Sequence, residues 1–183
     1  MRITFENIHS GHHRKVFSIW GADCLVTPYA GLSVLFFLVL GILVALARGG
    51  DQEFVTILRT GVVFGLLLFA SNMVHSLGHI LSGAFLNTPG RTVLITATFH
   101  INYHRCEPAN CTRWSHLGRA AAGPAANLLL GGVALYLHDT IGSESLDFLA
   151  KANLIIGAWL LLPIPSFDGW VFWTELLGLR HPH

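Results

Sequence analysis

The sequence predicts an all-α polytopic membrane protein, with about four transmembrane helices and a short β segment near residues 92–103. Three observations predict it. Of 183 residues, 52% are hydrophobic and only 11% are charged, less than half of the about 25% that covers a soluble domain. Apolar residues gather in runs suited to crossing about 30 Å of hydrocarbon. One short stretch instead alternates with the two-residue period of a strand. The same composition excludes other classes. High apolar content and a net charge of +1 exclude intrinsic disorder. Lys+Arg 11 against Asp+Glu 10 leaves no basic surface for nucleic acid. Three cysteines make no disulfide framework.

Residues 1–24 are polar and hold His9, His12, His13, Arg14 and Lys15. They read as a cytoplasmic tail, since no short apolar stretch with a small-residue cleavage site follows. Residues 25–183 read as one membrane domain, with spans at about 25–47, 62–86, 120–137 and 149–178. Pro163 and Pro165 break the last span, because each removes a backbone donor and disfavours helix in the residue before it. With both termini cytoplasmic, the inner side carries Arg2, Arg14, Lys15, Arg91, Arg105, Arg113, Arg119 and Arg180. The outer side carries only Arg48, Arg59 and Lys151, as the positive-inside rule requires. Between Pro89-Gly90 and Cys106, residues Val93, Ile95, Ala97, Phe99, Ile101 and Tyr103 fall on one face of the alternating stretch. A lone strand cannot span lipid, so it belongs at the membrane surface or against the bundle.

The second span carries Asn72, His75, Ser76, His79 and Ser82 as a polar stripe at helical spacing. His75 and His79 stand at i and i+4, where two imidazoles on one helix face can grip one metal ion. The fourth span reaches a similar depth before its proline break, and Asp168 follows. An intramembrane carboxylate is costly and points to function. Two histidines and one carboxylate with an open fourth position form the ligand pattern of catalytic zinc. Spacing alone leaves a second reading equally open: histidines hydrogen-bonded across a bundle, and Asp168 as a turn residue before Gly169.

HSLGH at 75–79 resembles the HExxH helix of the site-2 proteases, intramembrane zinc metalloproteases. LLLPIPSFDG at 160–169, with Pro163 and Gly169, is similar to that family's NxxPxxxxDG segment, whose aspartate is the third zinc ligand. AGPAANLLLG at 122–131, with Gly123, Pro124 and Asn127, resembles its GPxxN segment. The resemblance covers roughly Ser71–Gly169 and implies zinc on His75, His79 and Asp168, a core of three membrane helices and a site toward the cytoplasm. Two positions depart from the pattern: the glutamate that activates the zinc-bound water in the family is Ser76, and the asparagine that opens the last motif is Leu160. A serine hydroxyl does not hold a proton near neutral pH as a carboxylate does, and losing a general base costs about 10²–10⁴-fold in rate. Glu175, two helical turns past Asp168, and Glu107 are the acids weighed as substitutes.

The remaining signals have plainer readings. Cys106 and Cys111, with His100, His104 and His116 nearby, read as loop residues more readily than as a second metal site. His138 suits a helix C-terminus, and Trp170, Phe172 and Trp173 suit an interfacial belt. The 92–103 strand resembles the edge strand on which the family is thought to align extended substrate. The leading expectation is a site-2-protease-like protein that keeps zinc, lacks proteolysis and binds or scaffolds membrane-protein helices or extended segments in the lipid bilayer. The alternatives are an accessory subunit of a larger membrane complex, with its ligand histidines empty or binding a tetrapyrrole, and an active protease with an unusual base.

Overall fold

The computed structural model describes residues 13–86, 91–96, 100–104 and 112–179. Their elements are, in order, β1 (Arg14–Ile19), β2 (Ala22–Val26), α1 (Leu32–Arg48), α2 (Phe54–Phe85), β3 (Arg91–Ile95), β4 (His100–His104), α3 (Arg113–Ile141), α4 (Glu144–Leu160) and α5 (Asp168–Leu176). Two helices, α2 with 32 residues and α3 with 29, are long and apolar enough to cross a membrane. The helices α1 and α4 have 17 residues each, about 26 Å. Helix length thus supports two full spans where the sequence predicts four. The first run is shortened because its opening residues join β2 and the turn around Pro28. The last is divided by the prolines into α4 and the separate nine-residue α5.

Missing side chains set the packing of α1 on α2. A Cβ on Gly41 would lie 2.2 Å from the Gly65 amide nitrogen, and one on Gly61 would lie 2.6 Å from Ile42 Cα. Gly61 and Gly65 have the small-xxx-small spacing that lets membrane helices touch along their backbones. Beside this contact, Phe37, Ala45, Ile57, Phe64, Leu68 and Phe148 form an apolar core. The Phe64 and Phe148 rings stack with centroids 3.8 Å apart. Arg48 lies 5.6 Å over the Phe64 ring and 3.6 Å from Asp147, which ties the end of α1 to the start of α4.

One layer on, the fully buried Asn153 of α4 donates from Nδ2 to Ser71 Oγ of α2 at 2.8 Å and to the Leu149 carbonyl at 2.9 Å. The order Phe64–Phe148, Ser71–Asn153 shows that α2 and α4 run in the same direction, with α3 antiparallel to α4. Local signals bound α3. Thr112 caps it by accepting from the Ser115 amide at 3.1 Å, and Gly142 ends it at φ 74, a left-handed conformation that favours glycine. His138 in its last turn donates from Nδ1 to the Ser143 carbonyl.

The all-α expectation needs correcting, because the strands form a four-stranded sheet in the order β1-β2-β3-β4. The pairings β1/β2 and β3/β4 are antiparallel and β2/β3 is parallel, with the α1–α2 hairpin as the crossover. Residues 14–24, predicted to be tail, are therefore part of the fold. The single strand predicted over 92–103 is two antiparallel strands, β3 and β4, whose separate alternations read as one continuous run. Trp20 at φ 46 and Gly21 at φ 78 make the β1–β2 turn, the backbone of a type I′ hairpin. Ala22, Cys24 and Val93 pack the sheet on Ile80 of α2, so the sheet lies against the helix turn that carries His79.

Candidate metal centre

Successive turns of α2 bring His75 and His79 to one face, with their Nε2 atoms 3.1 Å apart. Asp168 Oδ2 lies 3.2 Å from His75 Nε2 and 3.3 Å from His79 Nε2. Ligands about 2.0 Å from a tetrahedral zinc stand about 3.3 Å from one another, so the three separations suit one shared ion. These residues are the one group of three or more His, Cys, Asp or Glu among the described residues that could hold a metal. A backbone contact orients one ligand: His79 Nδ1 donates to the Arg119 carbonyl at 2.9 Å. That bond keeps the proton on Nδ1 and leaves the Nε2 lone pair for a metal, the usual arrangement of a zinc-bound histidine.

Helix α3 makes room for the imidazoles. A Cβ on Gly123 would lie 2.3 Å from His79 Nε2 and 2.6 Å from His75 Nε2. Beside it, a Cβ on Gly78 would lie 2.5 Å from the Ala122 carbonyl oxygen, so the helices meet backbone to backbone next to the site. Pro124 sits inside α3 and removes one helical hydrogen bond there.

Asp168 arrives through the turn between α4 and α5. Ser166, two residues before it, has φ 78, a left-handed conformation that costs a non-glycine residue about 1–3 kcal/mol and needs support from its surroundings. The support is visible. A Cβ on Gly169 would lie 2.3 Å from the Leu161 carbonyl, and Trp173 Nε1 donates to that same oxygen at 2.8 Å. The first turn of α5 is thereby stapled to the end of α4. Trp173, which the sequence predicts for an interfacial belt, gives its N–H to this carbonyl and keeps its ring exposed.

Ser76 is buried next to His75, and Asn72 is half-buried one turn before it. Gly123, Pro124 and Asn127 are buried on α3, while Pro163 is exposed in the turn. Glu175 is buried, but at the far end of α5, where its carbonyl accepts from Arg113 Nε at 2.7 Å. Two helical turns, about 10 Å, separate it from Asp168. Glu107, Cys106 and Cys111, and the tail residues His9, His12, His181 and His183, lie outside the described residues, as do the side chains of His100 and His104. Sequence reasoning missed the Arg119 carbonyl, a backbone atom with no residue signature, and the left-handed Ser166.

No protein-family model matches the sequence, and no curated protein sequence matches it. A structural match exists with the site-2 protease from Methanocaldococcus jannaschii, at a TM-score of 0.61 and 21% identity, over 94% of this chain and 74% of that one. The chain therefore has a site-2-protease-like fold.

Proposed function

We propose that this chain is an integral membrane protein that holds zinc through His75, His79 and Asp168, has lost peptide hydrolysis, and works by binding membrane-protein segments. The observation that carries this reading is the convergence of three ligand atoms beside a serine. Bound there, zinc would supply Lewis acidity. The chain's own residues do the rest: the Arg119 carbonyl fixes the tautomer of His79, Gly123 admits both rings, and the stapled turn holds Asp168. Ser76 provides a hydroxyl where a proton acceptor is needed, and Glu175 is too far along α5 to replace one.

Exposed aromatics support a membrane setting. Trp114 is 74% and Tyr136 is 70% exposed on α3. They are 22 positions apart, about 33 Å along the helix, which suits aromatic anchors at the two faces of a bilayer. Gly123 is nine positions from Trp114, which puts the metal site about 14 Å inside that face. We assign that face to the cytoplasm, because Arg113 and Arg119 lie on the N-terminal end of α3 and the sequence that connects α2 to α3 adds Arg91 and Arg105. The sheet beside Ile80 offers its edge strand β4 for pairing with an extended partner segment.

The test is cleavage of a transmembrane model substrate by zinc-loaded wild type, Ser76→Ala and Ser76→Glu. Cleavage by the glutamate variant alone is expected. Cleavage by wild type would contradict the loss of hydrolysis.

A further inference from the structure

Among the described residues, the buried side-chain atoms with no hydrogen-bond partner include His75 Nδ1, Asn127 Oδ1 and Nδ2, and Asn153 Oδ1 in the three-helix interior. Asn127 is 1% exposed and Asn153 is 0% exposed, so bulk water does not reach them. In a native interior such groups are paired, commonly through an internal water. Their placement is shared. Asn127 lies one turn beyond Gly123, whose Cβ position would be 2.6 Å from both Nε2 and Cε1 of His75. A Cβ on Gly131, one turn further, would lie 2.8 Å from Leu154 Cγ of α4. Asn127 is thus on the stretch of α3 that passes from His75 of α2 to the neighbour of Asn153. Asn153 in turn reaches α2 at Ser71, one helical turn from His75.

We propose that Asn127, Asn153 and His75 Nδ1 bind internal water, and that Asn127 acts through this water as a positioning residue for His75. The inference rests on the metal reading above. When His75 ligates through Nε2, its Nδ1 carries a proton and needs an acceptor. A water accepts from Nδ1–H and donates to Asn127 Oδ1 and Asn153 Oδ1. Another accepts from Asn127 Nδ2–H. His79 has a backbone carbonyl in this role; His75 has the water and Asn127.

The test uses the full chain purified in detergent, with zinc affinity measured by competition with a chromophoric chelator. Asn127→Leu removes acceptor and donor at similar size, and Asn127→Asp keeps the acceptor. Loss of a group that orients a metal-bound histidine lowers affinity about 10–100-fold; that loss is expected for the leucine variant, with recovery in the aspartate variant. Wild-type affinity in Asn127→Leu, or no recovery in Asn127→Asp, overturns the positioning role and leaves the metal reading standing. A wild type that binds no zinc overturns both. Should Asn127→Leu fail to fold, nitrogen NMR of the wild type decides. A protonated His75 Nδ1 that exchanges magnetisation with water is expected, and a bare Nδ1, or one without a water correlation, contradicts the water site.

Discussion

The half of the helical bundle proposed to face outward and the half proposed to face the cytoplasm contrast in the use of Gly41, Gly61 and Gly65 against that of Gly123. In the outer half, Gly41, Gly61 and Gly65 let α1 and α2 touch through backbone atoms, beside an apolar core closed by the Phe64–Phe148 stack. In the inner half, Gly123 leaves its space to two imidazole rings, and the surroundings are polar, turned by prolines and strained at Ser166. The first use is packing, and nothing nearby can yield, because the atoms in the way are backbone. The second is accommodation, and the atoms in the way belong to side chains that can rotate. A substitution should therefore cost stability at Gly41, Gly61 or Gly65 and ligand geometry at Gly123.

Replacing Gly65 by leucine should have the largest effect on the fold. Its Cβ would lie 2.7 Å from Leu38 Cα and from the Phe37 carbonyl, an overpacking that costs about 3 kcal/mol or more. Unfolding titrations in detergent would measure it, and near-wild-type stability would remove the backbone contact from the account. Gly123→Ala is expected to do the reverse. The imidazoles would swing aside at little cost in stability, while zinc affinity falls about 100-fold, at the upper end of the loss for disturbed ligand orientation. Equal losses of stability and affinity would erase the distinction between the halves.

Legibility in the sequence follows the same division. His75, His79 and Asp168 were readable because chemistry-bearing residues stand out in an apolar helix and beside a proline break. The family pattern also picked out Gly123 and Asn127, but spacing alone did not reveal that Gly123 touches the ligand nitrogens. The Gly61–Gly65 spacing does not stand out among nineteen glycines. The hairpin at 14–26 was hidden because its first strand is exposed along most of its length, so it lacks the half-buried alternation that marks a strand. Ser71 and Asn153 carry no local sequence signal, since their pairing joins positions 82 residues apart.

Two smaller effects sharpen the picture between these extremes. Asn153→Val removes the bond to Ser71 and should cost about 1 kcal/mol, in the range measured for interhelical hydrogen bonds in membranes, read from the same unfolding titrations. No change would mean that the polar layer between the halves is unimportant for stability. Trp20→Asn should raise stability by about 0.5–1 kcal/mol, because asparagine tolerates the left-handed conformation of a type I′ turn better than tryptophan. A loss of stability would instead show that the contacts of the Trp20 ring outweigh the strain.

Zinc content of the purified chain tests the central claim most directly. The account predicts one zinc ion per wild-type chain after equilibration with zinc and removal of excess, and its near-complete loss in His79→Ala at unchanged folding. Wild-type protein without zinc, or a His79→Ala variant that retains it, would contradict the assignment of His75, His79 and Asp168 as a metal centre.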